Sequence, residues 1–353
     1  MLVDDSSPPA TASQEAARTP ASAGSRRGLT AGVVIGVVLL AVATAASLAV
    51  GTQRIPLGQV WDALFHPTGS AYDGIVRQLR LPRTLIGIAA GAALGLAGAV
   101  MQTLTRNPLA DPGLLGVNAG AATAVVTAIG VLGIGSFTGY LWFALGGAAL
   151  AAVLVNALGG SRSATPVRLA LAGTAVNAAL FGYVNGLQLA DPETLDTMRH
   201  WSVGTLAGRD PGLLVAVLPL LVAGTLLALA LARPLGALAL GDDSARALGA
   251  HTGRTRVLSV VAVTLLCGGA TALCGPIGFV GLMVPHAVRA FGGSEPRRLF
   301  PLSALYAPVL MLGSDVVGRI LVPPSEIEVG IVTTFLGGLL FIQLVRRRKA
   351  VRL

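Results

Sequence analysis

Residues 82–104 read P-R-T-L-I-G-I-A-A-G-A-A-L-G-L-A-G-A-V-M-Q-T-L. After Arg83 the stretch carries no charge, and a helix needs roughly 20 apolar residues to cross a bilayer. Its many glycines and alanines are typical of helices that pack closely against one another inside lipid. We therefore expect a transmembrane helix here, and comparable apolar stretches recur along the chain.

The whole chain has the composition of a membrane protein. Of its 353 residues, 54% are hydrophobic and only 12% are charged, whereas about a quarter of the residues of a typical soluble domain are charged. A mean hydropathy of +0.76 argues against a soluble enzyme or a disordered scaffold. The net charge of +9 does not indicate a nucleic-acid partner, because the basic residues are scattered over short polar breaks between apolar stretches.

Hydropathy predicts an all-α polytopic membrane protein with ten spans, at residues 29–50, 82–104, 113–132, 140–160, 168–189, 211–232, 257–274, 276–291, 300–321 and 329–345. The eighth is short and rich in Gly and Pro, so nine spans is the alternative. Residues 1–28 have the composition of a disordered cytoplasmic tail, which leaves 29–350 as the transmembrane domain. The first span resembles a signal-peptide core, but its length and the poor cleavage sequence after it favour an uncleaved span.

The distribution of charge predicts the orientation. With ten spans and a cytoplasmic N-terminus, 18 of the 25 Lys and Arg residues lie inside and seven lie outside, in agreement with the positive-inside rule. We expect a multi-pass protein of the cell membrane with both termini in the cytoplasm. Long polar segments then fall at 51–81 and 190–210 outside and at 233–256 inside, where partners or substrate would touch the protein.

Arginines mark the outer side. In R-L-P-R at 80–83, Pro82 suits the first turn of a helix and fixes the spacing of Arg80 and Arg83. The two side chains either anchor the chain at the interface by snorkelling or bind acidic residues of an extracytoplasmic partner. Deeper in the ninth span, Asp315 stands four residues before Arg319, a spacing that predicts an ion pair.

Two apolar stretches are interrupted, at 106–116 (R-N-P-L-A-D-P-G-L-L-G) and 275–286 (G-P-I-G-F-V-G-L-M-V-P-H). Asp111 is placed to cap the following helix. The first break is either a tight cytoplasmic turn or a discontinuous helix close to a transport pathway. Interruptions in corresponding halves also suggest an internal repeat that relates spans two to five and seven to ten. His286, a lone histidine, is interpreted as structural.

Polar residues in the fifth span have two interpretations. Thr174, Asn177 and Asn185 fall on one helical face, where they either form hydrogen bonds between helices or line a channel. The two cysteines, Cys267 and Cys274, lie in one apolar segment and are interpreted as packing residues.

The inner polar segment 233–256 predicts two short helices. Leu235 to Leu240 forms one run, Gly241 allows a turn, and Asp242 is placed to cap a second run that ends at Gly249. Such helices suit docking into a groove on a soluble protein, although an amphipathic connector without a partner would have the same composition.

The sequence contains no P-loop, H-E-x-x-H or G-x-S-x-G motif. A membrane-embedded enzyme is therefore disfavoured. The spans also hold few acidic residues, and a carrier driven by protons or sodium usually needs more of them. If the chain drives uphill transport, the energy comes from another chain; a stand-alone secondary transporter of a small organic solute is the alternative.

In these motifs the chain resembles the permease subunits of ATP-binding-cassette (ABC) importers for ferric siderophores, haem and cobalamin, the type II importers. The matching stretches are R-L-P-R at 80–83, N-P-L-A-D-P-G-L-L-G at 107–116, L-A-L-G-D-D-S-A-R-A-L-G at 238–249, G-P-I-G-F-V-G-L-M-V-P-H at 275–286 and E-V-G-I-V-T at 328–333. They follow one another in the family's order over residues 50–350. The tail at 1–28 is not part of the pattern.

The resemblance implies a homodimer or pseudo-dimer of ten-span subunits, with two cytosolic ABC ATPase subunits below and an extracytoplasmic substrate-binding lipoprotein above. ATP and Mg would be bound by the ATPase, and this chain would bind no cofactor and no metal. Arg80, Arg83 and Arg319 would receive acidic residues of the binding protein. The fifth span would line the path through Thr174 and Asn177, with a gate at Thr165 and Pro166. Coupling to the ATPase would use Leu240, Gly241, Asp242, Asp243, Ser244, Ala245, Arg246, Ala247, Leu248 and Gly249. Ferric siderophore is the expected cargo because it is the family's commonest; no residue chooses it over haem or cobalamin.

Overall fold

The computed structural model describes residues 23–159, 166–247 and 249–350, and the described part of the chain is helical without strands. Its α-helices, in chain order, are α1 (Ala23–Ala49), α2 (Leu57–Phe65), α3 (Ala71–Gly74), α4 (Leu81–Thr105), α5 (Val117–Gly130), α6 (Phe137–Gly159), α7 (Pro166–Ala190), α8 (Pro192–Ser202), α9 (Pro211–Ala230), α10 (Ala232–Ala239), α11 (Asp242–Ala247), α12 (Thr252–Cys274), α13 (Val280–Gly292), α14 (Pro296–Leu321) and α15 (Val329–Ala350).

Each of the ten predicted spans corresponds to one helix, and the all-α fold class is confirmed. Among the described residues, seven helices are long and apolar enough to cross a membrane, and Val117–Gly130 and Val329–Gln343 are shorter apolar segments. The predicted eighth span is α13, whose 13 residues reach only about 20 Å against a hydrocarbon core of about 30 Å. It is therefore a half-helix, which occupies the predicted eighth span together with the non-helical stretch 275–279 before it. At the N-terminus α1 begins at Ala23, within the predicted tail; residues 1–22 lie outside the described part, and the domain boundary at 28 stays a prediction.

The helix α4 forms the centre of the bundle and packs against α12, α13 and α14. Close approach is possible because α4 presents glycines at the contacts. A Cβ atom built on Gly95 would lie 2.6 Å from the backbone oxygen of Ser303 in α14, and one built on Gly98 would lie 1.9 Å from that of Gly281 in α13. Neither position has room for a side chain, as expected of membrane helices held together by backbone packing.

Both predicted interruptions are real breaks in the helices. After α4, Arg106 adopts a left-handed conformation with φ of 53°, and a 3₁₀ turn follows at Pro112–Leu115. Asp111 caps that turn, since its Oδ1 accepts from the Gly113 N–H at 2.7 Å; its capping role is confirmed. The second break is the non-helical stretch 275–279 before α13, with φ of +77° at Gly275 and +67° at Phe279.

The helix around Pro82 begins earlier than the sequence suggested. A capping box of Ser70 and Asp73 starts α3, a π-helical segment follows at Ile75–Arg80, and α4 continues from Leu81. The Leu81 N–H donates to the carbonyl of Val76, five residues back. Proline has no N–H to donate, and the change from π- to α-helix falls directly before it. Pro82 thus lies in the first turn of α4, as predicted, although the continuous helical segment Ala71–Thr105 begins eleven residues before it.

Candidate functional sites

The three arginines predicted to dock a partner come together at one cavity. Arg80 and Arg83 approach it from the helix of R-L-P-R, and Arg319 approaches from the end of α14. The cavity has a volume of about 200 Å³ and is lined by Gly51, Thr52, Gln53, Ile75, Leu79, Arg80, Arg83, Arg319 and Glu326. We call it the arginine cavity.

Two of these arginines donate hydrogen bonds to backbone carbonyls at the end of α1 and just after it. The Nη1 of Arg80 donates to the carbonyl of Leu48 at 2.7 Å, and its Nη2 donates to that of Gln53. The Nη1 of Arg319 donates to the carbonyls of Ser47 at 2.8 Å and Val50 at 3.0 Å. Arg80 and Arg319 are only 7% and 2% exposed, so the snorkelling interpretation, which concerns Arg80 and Arg83, is wrong for Arg80. Their role in docking stays a prediction.

Arg83 belongs to a network of charges. Its Nη2 lies 2.7 Å from the buried carboxylate of Asp315, and its Nη1 lies 2.6 Å from that of Glu326. Asp315 also pairs with Arg319 four residues later, which confirms the predicted ion pair. Three guanidiniums face two carboxylates, so the cavity keeps an excess of one positive charge. Moreover, Nε of Arg319 is buried without a hydrogen-bond partner among the described residues. The unbalanced positive charge would attract a further carboxylate to the cavity.

The inner polar segment forms the two predicted short helices, α10 and α11. Gly241 connects them with φ of +110° and Gly249 follows them with φ of +79°. Leu240 is 69% exposed, and the side chain of Asp243 is 99% exposed and pairs with Arg246 at 3.1 Å. Ser244 and Ala247 are exposed as well, and Ala245 is buried. Leu248 lies outside the described residues.

Asp242 differs from its predicted role. It is the first residue of α11, and the Gly241 carbonyl accepts the first bond of that helix, from the Ala245 N–H at 2.9 Å. The Asp242 carboxylate instead pairs with Arg106, just after α4, at 3.3 Å and with Arg256, in the second turn of α12, at 2.6 Å. The predicted N-cap is therefore an ion-pair bridge between α11 and two spanning helices.

The predicted path residues have different surroundings. Thr174 is exposed, with its hydroxyl bonded to the carbonyl of Ala170 in its own helix at 2.9 Å. Asn177 is half-buried, and its Nδ2 donates to the carbonyl of Gly113 in the first break at 3.1 Å. Pro166 begins α7, and Thr165 lies outside the described residues. The structure therefore joins Asn177 to the break, and the path and gate assignments stay predictions.

A buried set of hydrogen bonds between the two halves of the chain was not predicted from the sequence. The Nε2 of Gln102 donates to the carbonyls of Gly281 and Leu282, each at 3.2 Å, and its Oε1 accepts from Arg289. Gln102 thus holds the start of the half-helix α13 against α4. The sequence does place a glutamine at the end of an apolar stretch. Because a buried amide needs hydrogen-bond partners, this position could have indicated a contact with another helix.

The cysteines agree with the interpretation as packing residues. Cys267 and Cys274 are both free and buried. Among the described residues, no group of three or more His, Cys, Asp or Glu side chains could hold a metal ion. His286 is half-buried in α13.

Known proteins resemble this chain in sequence and in fold. The model of the FecCD transport family matches residues 39–347. The chain belongs to the FecCD transport family. One relative, the ferric enterobactin transport system permease protein FepD of Escherichia coli (strain K12), is 46% identical over 314 residues, covering 88% of this chain and 93% of the relative. The Fe(3+)-citrate import system permease protein YfmD of Bacillus subtilis (strain 168) is 36% identical, covering 89% and 94%.

A solved structure agrees with the fold. A metal-chelate type ABC transporter in an inward-facing conformation matches with a TM-score of 0.78 and 27% identity, covering 91% of this chain and 99% of that one. The resemblance stated from the motifs is confirmed, and this member of the FecCD family is a multi-pass ABC-transporter permease.

Proposed function

We propose that the chain is the membrane subunit of an ATP-driven importer for a ferric siderophore. It would work with a second permease subunit, cytosolic ATPase subunits that bind ATP and Mg, and an extracytoplasmic binding protein. The positive-inside distribution of Lys and Arg supports cytoplasmic termini and a cytoplasmic position for α10 and α11.

The observation that carries the proposal is the bridge at Asp242. The surface formed by α10 and α11 is exposed, too short to span the membrane, and joined by one carboxylate to Arg106 and Arg256. A partner that pushes on α11 therefore acts on the end of α4 and the start of α12 together. Since Arg106 opens the first break and α4 contacts α13 beside the second, the movement reaches both interrupted helices. Such a connection would let a separate ATPase subunit move the membrane helices.

The cargo is inferred from the relatives. The two relatives described above carry names for ferric enterobactin and for ferric citrate, both ferric complexes of oxygen-rich chelators. A stand-alone carrier driven by ions is less well supported, because the one buried acid of α14, Asp315, is already neutralised by two arginines.

The turn at Gly241 provides the test of ATP coupling. We expect Gly241→Pro to hydrolyse ATP without uptake, because proline fixes φ near −65° where the chain needs +110° and removes the N–H that donates to Leu238 at 3.1 Å. Gly241→Ala should be intermediate, at a strain of about 1–3 kcal/mol. Gly253→Ala is the matched control, since Gly253 also has no atom near its Cβ position and its φ is ordinary.

Uptake of radiolabelled ferric siderophore into vesicles that contain the permease, the ATPase and the binding protein measures the coupling. Normal ATP-coupled uptake by Gly241→Pro would contradict the role of the turn. Concentrative uptake by the permease alone, without ATPase, would overturn the proposal as a whole and favour the stand-alone carrier.

The arginine cavity sets the design of the docking test. Because Arg80 holds the end of α1, Arg80→Glu together with Arg83→Glu should abolish docking of the binding protein and also loosen α1. Arg83→Gln is the cleaner variant, since the Arg83 side chain contacts carboxylates and not the backbone. We expect it to weaken binding-protein affinity at least tenfold, roughly the 1.5–3 kcal/mol of a charged hydrogen bond, without loss of membrane insertion. Unchanged affinity in both variants would contradict docking at this cavity.

A further inference from the structure

A second basic cavity opens between α9, α10 and α14, on the same face of the molecule as α11. Its volume is about 280 Å³, and it is lined by Leu229, Ala232, Arg233, Pro296, Arg297 and Pro301. Neither the docking site nor the bridge at Asp242 uses these residues. We call it the α9–α14 cavity.

The cavity carries two positive charges without compensation. Arg233 and Arg297 are exposed, and in the described part of the chain neither forms an ion pair. The neighbouring carboxylate, Glu295, pairs instead with Arg298 at 3.2 Å, and the cavity lining contains no acidic residue. Two guanidiniums at one cavity match the oxygens of a phosphate group, which arginine binds through two parallel hydrogen bonds.

An apolar stripe leads from the membrane interior to this cavity. Exposed side chains follow one another along α9 at spacings of three and four residues, at Val215, Leu218, Val222, Leu226 and Leu229. At 100° per residue they fall within an arc of about 80°, and they extend over about 21 Å of helix. The last of them, Leu229, lines the cavity. A ligand that contacts both the apolar stripe and the two arginines would have a long apolar chain and an anionic head.

We infer that the α9–α14 cavity binds the phosphate headgroup of an anionic phospholipid whose acyl chain lies along the α9 stripe. Basic pockets between transmembrane helices at the cytoplasmic side suit such headgroups. A second copy of the chain does not fit the cavity in a two-fold contact, because like charges would then face one another. The inference holds whatever cargo the permease carries.

Native mass spectrometry of the full chain purified in detergent tests the inference. The probes are phosphatidylglycerol and phosphatidylcholine with identical acyl chains, and inorganic phosphate as a separate arm. We expect preferential retention of phosphatidylglycerol, reduced about fivefold by Arg233→Gln or Arg297→Gln and about thirtyfold by both. The matched control is Arg254→Gln, which removes an exposed arginine at the start of α12 on the same face and should leave retention unchanged.

Each other outcome overturns the inference. Equal retention of the two lipids would show that the headgroup charge is not recognised, and an equal loss in Arg254→Gln would show only a general surface charge. Displacement of the lipid by millimolar inorganic phosphate would indicate a phosphate site. If the double variant fails to fold, the two single variants decide. If the variants keep their lipid but lose binding of the cytosolic ATPase, the arginines belong to the ATPase surface.

Discussion

Gly98→Ala tests whether the contact between α4 and the half-helix α13 stabilises the bundle. The added Cβ would lie 1.9 Å from the carbonyl oxygen of Gly281 and 2.5 Å from its Cα. Contacts below 3.0 Å essentially do not occur, so α13 has to move away by roughly 1 Å. Such overpacking costs about 1–3 kcal/mol. The same movement stretches both 3.2 Å hydrogen bonds from Gln102, worth about 0.5–1.5 kcal/mol each.

We therefore expect these two effects to lower the free energy of unfolding of Gly98→Ala by about 2–6 kcal/mol. The better helix propensity of alanine offsets about 1 kcal/mol of this loss. At roughly 2 °C per kcal/mol for a chain of this size, the apparent Tm should fall by about 2–10 °C. The chain supplies its own reporter, because its two cysteines, Cys267 and Cys274, are 1% and 0% exposed. A maleimide fluorophore will label them only as the bundle opens.

Gly146→Ala is the matched control, since no atom lies within 4 Å of its added Cβ and it should be neutral or slightly stabilising. A Gly98→Ala protein with a Tm equal to or above that of the control would refute the claim that the two backbones are in contact.

Three further substitutions test other contacts. Asp315→Asn removes the carboxylate that two arginines share, and we expect the free energy of unfolding to fall by about 3–5 kcal/mol. An unchanged midpoint temperature of maleimide labelling would show that the pairing contributes nothing to stability. Gly147→Ala should lower the same midpoint, since its Cβ would lie 2.2 Å from the backbone oxygen of Gly120, whereas the adjacent Gly146→Ala should not; equal midpoints would contradict the packing of α5 on α6. Asp242→Asn weakens two partly exposed ion pairs, each worth about 0.2–1 kcal/mol, so we expect ATP-coupled uptake to fall about two- to thirtyfold in vesicles with normal ATPase binding. Full uptake would mean that the bridge does not transmit the movement.

The features that were predictable from the sequence depend on neighbours along the chain. Apolar stretches became helices because their length and composition decide that locally, and the Asp111 cap and the pair of Asp315 with Arg319 join residues at most four positions apart. The same holds for α10 and α11, whose turn needs only the glycine at position 241.

The contacts that the sequence did not reveal join distant residues. Arg83 and Asp315 are 232 positions apart, and Gln102 is 179 positions from Gly281. No spacing rule covers such pairs, because the packing of α4 against α13 and α14 creates them. Asp242 shows the competition directly. Its position suits a cap, but two arginines from other helices offer a charged partner, and an ion-pair bridge forms instead.

The π-helical segment Ile75–Arg80 changes which residues lie on the same face of the long helical segment 71–105. A turn closed by bonds to the fifth residue back contains about one residue more than an α-turn, which advances the direction of later side chains by about 100°. The portion before Pro82 is therefore out of phase with the portion after it, and a helical wheel drawn continuously through 71–105 mixes their faces. A one-residue insertion or deletion at 75–80 would rotate the portion before Pro82 and leave the portion after it in register. The direction of the side chains at 71–80 is thus set by this segment, and Arg80 at its end keeps that direction through its bonds to the carbonyls of Leu48 and Gln53.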